Sequence, residues 1–573
     1  MNWIILFLLL LHPIRSINNT NPHIIYILAD DLGWRYVDWH RTDLKNQSLT
    51  PNLHSLLKNG IELDRLYSFK YCSPSRSAIQ TGRNPISVNV QNVVPEVSNS
   101  HDKIGGWQGI PTEMTGIASI LQRANYSTNI VGKWDVGMAT DKHHPRARGY
   151  DTWTGYWHHA NDYWQHTVET CNDTAVYDLW QYNSTYDAPA FHLSNGKSCS
   201  QNNQTPPNNE TCIYEEQLLT EHVIERIQQH DLTNTARPLF LFWSMHLVHM
   251  PLQVPTKYLD RFPNIENVQR KKMTAMVSYL DDDVGKVIDV LKARKMYNNS
   301  LIIFHADNGG EIMGAGLCGG NNWGFNSMDD RGLRGGKFSN FEGGIRVNGM
   351  LSGGYLLKKM RGTRLDSLIT VWDWYATLSA ITGMDCTDHK AAKVGLPPHD
   401  SINQWALLSG RNTTAQRTEI IIGETSALSP NADGNTLVGG IIQGKMKLLL
   451  GAPDRLHTIN QNVLTGPNWP NMTSHLVPLL HLKTCGRIPK HGCLYDVFDD
   501  PTESINLANK NASMQNLFFK LLKIIDTKQK DTKDFVYSPV RGPVDPRACS
   551  AVEKKYDGYW GPFVEGKCDG HLC

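Results

Sequence analysis

Two pairs of oxygen-bearing side chains suggest chemistry first: Asp30-Asp31 and Asp307-Asn308, each at the end of a short apolar run. Together they offer three carboxylates and an amide oxygen, a donor set for a hard cation such as calcium or magnesium rather than zinc. Either pair alone reads as a solvated turn or a helix cap. Between them in the chain lies Cys72, inside Tyr71-Cys72-Ser73-Pro74-Ser75-Arg76 and shortly before Thr81-Gly82-Arg83. The chain holds 11 cysteines, an odd number. An oxidising compartment pairs or consumes exposed thiols, so the odd one calls for a chemical explanation. An ordinary free or intermolecularly paired cysteine in a turn is the plain alternative for Cys72.

Positioning such groups requires elements whose ends meet. Apolar runs at 24–29, 128–131, 239–243 and 301–304 have the length of buried strands, and each leads directly into polar residues: Asp30-Asp31, Gly132-Lys133-Trp134, a loop with His246 and His249, and Asp307-Asn308. Helical spacing at 114–124 and 273–295 lies between them. Alternating strands and helices predict an α/β domain on a mostly parallel sheet, which binds ligands beyond the carboxyl ends of its strands. Residues 157–212 are polar, aromatic and rich in glycosylation sequons, and read as a surface excursion. Trp153, Tyr156, Trp157 and Trp164 read equally as a sugar platform or as core. The glycine density of 309–344 argues against regular structure throughout. After residue 412, strand patterns at 419–423, 437–443 and 445–450 and a helix at 512–527 predict a smaller α+β domain with a disulfide-bearing tail. The expected division is 21–411 for the catalytic domain and 412–573 for the smaller one.

Residues 3–11 are continuously apolar and end at His12-Pro13, so 1–16 reads as a cleaved signal peptide. Asn-x-Ser/Thr sequons run from Asn18 to Asn511, a density hard to reconcile with a cytosolic protein. Setting Cys72 aside leaves ten cysteines for disulfides of open connectivity. The formal net charge of +1 gives no argument for nucleic acid or an anionic membrane. No later segment approaches membrane-spanning length, so a soluble mature protein of the secretory pathway, lysosomal or secreted, is expected.

The Cys72–Arg76 element with Thr81-Gly82-Arg83 resembles the signature of type I sulfatases. In that family the formylglycine-generating enzyme oxidises the cysteine to formylglycine. The resemblance runs from about residue 21 to 506. Stretches at 132–134, 248–255, 333–337 and 342–344, with Leu494-Tyr495-Asp496 and Asp500-Pro501, look like the arylsulfatase B branch, the N-acetylgalactosamine-4-sulfatases. It implies an alkaline-phosphatase-like sheet and one calcium ion held by Asp30, Asp31, Asp307 and Asn308, with residue 72 as a further ligand. It also implies that Arg76 orients residue 72 and the metal site, that Lys133 and Lys337 grip the sulfate and the ester oxygen, and that His249 gives a proton to the leaving alcohol. Hydrated formylglycine offers two hydroxyls on one carbon: one attacks sulfur, and the other then loses its proton and expels sulfate. His246 is read as structural or as a substrate contact; His143, His144, His158 and His159 are read as surface or cleft histidines.

One departure bears on mechanism. Where the family has Gly-Lys-Trp-His, this chain has Asp135. Either Asp135 serves as a carboxylate base in the histidine's place, or the site is crippled by a shorter, negatively charged side chain. A functional enzyme is the expectation, with Asp135→His retaining activity. The expected function is thus hydrolysis of aryl or sugar sulfates, with a sulfated-glycan-binding protein of little turnover as the alternative. A zinc phosphatase or phosphodiesterase is disfavoured, since the histidine-rich ligand set zinc would favour is lacking.

Overall fold

A computed structural model describes residues 21–40, 49–88, 90, 94–98, 107–171, 174–193, 212–266, 268–311, 333–423, 438–451, 463–464, 476–477, 485–531 and 543–564. The signal-peptide segment lies outside them. Among the described residues no helix is long and apolar enough to cross a membrane.

Ten strands form one mixed sheet, in the order Thr363–Leu365, Ile61–Leu63, Gly349–Ser352, Ser300–Ala306, His23–Ala29, Leu239–Ser244, Ser127–Gly132, Thr152–Gly155, Trp180–Tyr182 and Asp187–Pro189. The five central strands, Ser300–Ala306 through Thr152–Gly155, are parallel neighbours, flanked by antiparallel pairings. Buried on both faces, these strands need continuous apolar sequence rather than alternation, and Ile24–Ala29 is fully buried. The 26-residue helix Val268–Ala293 and the helix Glu215–Gln229 pack against each other, and the latter also packs on the central strands.

A second sheet of four antiparallel strands, Glu419–Gly423, Val438–Gln443, Met446–Leu449 and Cys493–Asp496, is covered by the helix Ala512–Asp531. Phe518, Leu521, Leu522 and Ile525 of that helix form a small core with Val438, Ile441 and Leu448. The tail returns to the large sheet. Helix Pro546–Lys554 is joined by Cys549 to Cys171, and Tyr559 pairs beside Tyr177.

Two expectations need correction. The described part of 157–212 is not simply a surface excursion, since Trp180–Tyr182 and Asp187–Pro189 extend the main sheet; of the two open readings of Trp153, Tyr156, Trp157 and Trp164, buried core is the one that holds. The cysteines other than Cys72 do not all pair either, because Cys386 is free and half-buried. Cys485 pairs with Cys493 over a short loop.

Candidate active site

Parallel register explains why distant residues meet. Leu28 stands opposite both Ser244 and His305, and Ser244 stands opposite Gly132. The residues just beyond these strands, Asp30-Asp31, Asp307-Asn308, Lys133 and the His246–His249 loop, therefore leave the sheet on one rim. Asp31 and Asp135 turn the chain there with φ of 56° and 54°, in the left-handed region that Asp tolerates better than most residues.

The helix Cys72–Thr81 supplies the remaining centre. Pro74 sits in its first turn, where the missing N–H costs no hydrogen bond. The Ser75 hydroxyl donates to Tyr71 O at 2.7 Å and accepts from Phe69 N at 3.2 Å, tying down the entry. Gly82 ends the helix at φ 68°; a Cβ there would lie 2.6 Å from the Tyr375 ring. Every residue of the helix is buried, which is unusual for a segment with so few apolar side chains and is possible because its polar groups are bonded. Arg76 donates to Asp307 Oδ2 from Nε at 2.9 Å and to Ser244 Oγ from Nη1, while Nη2 lies 3.4 Å from Asp30. Arg83 is a structural clamp, bonding Pro397 O and Asp388.

Cys72, the first helical residue, has its Sγ 3.4 Å from Asp30 Oδ1 and 3.9 Å from Asp31 Oδ1. Lys133 Nζ donates to Asp30 Oδ2 at 2.7 Å, and Lys337 Nζ to Asp31 Oδ2 at 2.7 Å. His249 Nε2 lies 3.1 Å from Lys337 Nζ and 3.5 Å from Asp31, with its Nδ1 2.8 Å from Met250 O. All the sequence-derived candidates, Asp30, Asp31, Cys72, Arg76, Lys133, Asp135, His249, Asp307, Asn308 and Lys337, are thus brought together and buried.

Burial and the neighbouring Asp30 push the Cys72 thiol well above its usual pKa. A protonated thiol is a poor nucleophile, so the unmodified side chain is unsuited to attack. Burial opposes charge on Lys133 and Lys337, but Asp30 and Asp31 beside them keep both ammonium groups firmly protonated. Burial, then Lys337 and Lys133, lower the His249 pKa and favour the neutral imidazole.

The donor set fits a divalent cation. Asp30, Asp31, Cys72 and His249 each offer a ligand atom within 4.8 Å of the others. Asn308 Oδ1 is buried without a hydrogen-bond partner while its Nδ2 donates to Asp31 Oδ1 at 2.7 Å. Asp30, Asp31, Asp135, Asp307 and Glu311, the last acting on Lys337, set five carboxylates against the three cations Arg76, Lys133 and Lys337. This excess of acidic groups over cations favours a divalent cation in the pocket before an anionic substrate enters.

Sequence reasoning missed the surroundings of Asp135. Ser73 Oγ donates to Asp135 Oδ1 at 2.9 Å, His159 Nδ1 lies 2.6 Å from the same oxygen, and Lys133 Nζ lies 3.6 Å from Oδ2. Burial alone would raise the Asp135 pKa; His159 and Lys133 outweigh it and hold the carboxyl well below the usual range. The other paired histidines are not surface groups. His143 bonds Thr140, His144 accepts from Arg146 N, and His158 is buried between Asp178 and Glu96. His246 is buried, stacked on Tyr163 at 3.8 Å and bonded to Glu215.

Lys337 is held from the smaller sheet. Lys337 N donates to Gly310 O, Gly343 N to Arg334 O and Gly309 N to Gly344 O. A Cβ on Gly309 would meet Gly343 O at 1.7 Å, so the close backbone approach requires glycine there. Buried Lys447, on the strand Met446–Leu449, bridges Glu342 at 3.1 Å and Glu503 at 3.0 Å, and Glu503 O accepts from Arg334. Lys447→Met leaves two buried carboxylates without their shared cation. It is expected to cost roughly 3–5 kcal/mol in denaturant unfolding, with a loss of turnover as the Lys337 loop relaxes.

A buried thiol, fixed cations and a cation-ready oxygen set at the carboxyl rim of an alkaline-phosphatase-like sheet are the parts of an anion-hydrolysing enzyme. The family model described as Sulfatase matches residues 22–384, and the chain belongs to the sulfatase family. It is 29% identical to arylsulfatase J of Mus musculus over 559 residues, covering 95% of this chain and 81% of that protein. It is 28% identical to N-acetylgalactosamine-6-sulfatase of Homo sapiens over 328 residues, 57% of this chain and 55% of that protein. Solved structures share the fold. The PsFucS1 sulfatase from Pseudoalteromonas sp. superposes with a TM-score of 0.62 at 19% identity, over 91% of this chain and 92% of that one. Ps i-CgsB in complex with k-i-k-neocarrahexaose gives 0.65 at 22%, over 94% and 99%.

Proposed function

We propose that this chain hydrolyses sulfate monoesters of aryl or sugar alcohols at residue 72, converted from cysteine to formylglycine, beside one calcium ion. The observation that carries the reading is the placement of Cys72: first residue of a buried helix, 3.4 Å and 3.9 Å from two carboxylates that are themselves gripped by Lys133 and Lys337. Formylglycine supplies, as its hydrate, a hydroxyl nucleophile on a carbon that can later release sulfate. Asp30, Asp31, Asp307 and Asn308, with residue 72, would hold the ion, which would supply positive charge against the sulfate.

The chain's own residues do the rest. Arg76 fixes Asp307 and Asp30 relative to the helix that carries residue 72. Lys133 and Lys337 bind sulfate oxygens from fixed positions, so no reorganisation is needed as charge develops. The His249 Nδ1 hydrogen bond to Met250 O leaves Nε2 facing Lys337 and the leaving oxygen. An arriving anion offsets the lysine charges that disfavour imidazolium, and His249 then donates its proton to the departing alcohol.

An N-acetylgalactosamine sulfate at the end of a glycosaminoglycan is the sugar substrate we favour, on the N-acetylgalactosamine-6-sulfatase relative and the branch-like stretches around Lys133, His249 and Lys337. Conversion of Cys72 by the formylglycine-generating enzyme places the protein in the secretory pathway, lysosomal or secreted. Asn125, Asn298, Asn412 and Asn511, all in sequons, are exposed and accessible to glycosylation.

Metal removal tests the reading. Chelation by EGTA is expected to abolish release of sulfate from both 4-nitrophenyl sulfate and N-acetylgalactosamine sulfates, and added calcium to restore it. Full turnover in the metal-free protein would contradict it.

A further inference from the structure

Asp135 removes the imidazole that the family carries at that position, yet the fold brings another one to the same place. His159 Nδ1 lies 2.6 Å from Asp135 Oδ1 and 3.3 Å from Ser73 Oγ, beside residue 72. The pair is preorganised from both sides. Trp134 N and Asp135 N donate to Tyr156 O and Trp157 O, at 2.9 and 3.2 Å, so the two segments run together. The residue before His159 is clamped: His158 is buried with its Nδ1 2.8 Å from Asp178 and its Nε2 3.1 Å from Glu96. Asp178 also accepts from the backbone N–H groups of Trp157 and His158.

The hydrogen bonds assign different parts to the two side chains. Asp135 Oδ1 already accepts from Ser73, and Oδ2 faces Lys133 at 3.6 Å. A carboxylate so surrounded by donors and cations is a weak proton acceptor. His159 keeps one ring nitrogen unengaged. With Nδ1–H donated to Asp135, its Nε2 carries the lone pair, and that atom has no hydrogen-bond partner among the described residues. Carboxylate orientation of a basic imidazole is the arrangement that fixes tautomer and direction in hydrolase triads.

We propose that Asp135 and His159 together replace the family histidine: Asp135 orients the ring, and His159 Nε2 accepts the proton that sulfate release requires. The inference rests on the proposed formylglycine hydrolysis. In this step the O–H bond of the free hydroxyl on residue 72 breaks and its proton passes to Nε2. The pair left on oxygen closes the carbonyl, and the bond from carbon to the sulfate-bearing oxygen breaks, so that sulfate leaves with that bonding pair. His159 later loses the proton to water. Asp135, whose charge would otherwise repel sulfate, is offset by Lys133 and Arg76.

Three variants test it, each first checked for an unchanged melting temperature and for conversion of Cys72. His159→Gln keeps a donor for Asp135 but cannot take a proton. It is expected to lower kcat about 10²-fold or more, with KM and the affinity for inorganic sulfate, measured calorimetrically, nearly unchanged. His159→Ala leaves Asp135 without its partner and is expected to lose kcat to a similar extent and to weaken sulfate binding as well. Adding Asp135→His to His159→Ala returns an imidazole to the family position and is expected to recover about tenfold or more of the lost kcat. Wild-type kcat in His159→Gln, or no recovery in the double variant, overturns the inference while leaving sulfatase function in place. A wild-type protein with converted Cys72 and no hydrolysis of any sulfate ester removes both.

Discussion

Alanine at position 72 is expected to reduce sulfate ester hydrolysis by on the order of 10⁵–10⁶-fold, the scale on which loss of a covalent nucleophile acts. The fold should survive. Cys72 is fully buried at the head of a helix whose entry is held by Ser75 and whose interior is held by Arg76, and neither bond involves the thiol. Losing one sulfur atom from this pocket costs about 1 kcal/mol. Serine at the same position separates the nucleophile from its exit. A serine hydroxyl beside Asp30 and Asp31 can accept sulfate but cannot eliminate it, because its carbon carries no second hydroxyl. Cys72→Ser is therefore expected to release no more than one alcohol per protein and no free sulfate. Sustained turnover in Cys72→Ser would show that residue 72 does not act through a hydrated aldehyde.

The second large effect belongs to His249, and it depends on the substrate. A nitrophenolate departs without a proton, whereas a sugar alkoxide does not. His249→Ala is expected to lower kcat about 10²–10⁴-fold on a sugar sulfate and about tenfold or less on 4-nitrophenyl sulfate. Among the described residues, neither His246 nor His159 is placed for that role. His246 is stacked under Tyr163 with Nδ1 bonded to Glu215, and His159 stands beside Asp135 and Ser73 rather than with Lys337. Equal losses on both substrates would mean that His249 organises Lys337 and Asp31 instead of protonating the leaving group.

Much of this site is legible before any coordinates. Apolar runs that lead into Asp30, Lys133, the His246 loop and Asp307 read as strands, and the observed strands His23–Ala29, Ser127–Gly132, Leu239–Ser244 and Ser300–Ala306 end within two residues of those positions. Continuous apolarity is a strong signal because both faces of a central parallel strand are buried. What the sequence withholds is register, since the alignment of Leu28 with Ser244 and His305 depends on pairings across more than 200 residues. Segment 157–212 misleads for a related reason. Several of its described polar residues are bonded inside the protein, as Asp178 is by Trp157 N and His158, so polarity at those positions marks internal bonding rather than exposure. His159 carries no local sign of its role, because its meaning comes from Asp135 across a pair of loop segments. Lys447 is equally silent: an ordinary strand lysine in sequence, it becomes the shared cation of Glu342 and Glu503 when the two sheets meet.

The most direct test of the central claim is the mass of the tryptic peptide spanning residues 71–76, from protein made in a secretory host that converts a control sulfatase. A peptide lighter than the cysteine form, and trapped by a hydrazine, is the predicted result and shows that residue 72 carries the aldehyde on which hydrolysis depends. An intact thiol would contradict the account, leaving Lys133, Lys337 and the acidic cluster as a sulfated-glycan-binding site without a nucleophile.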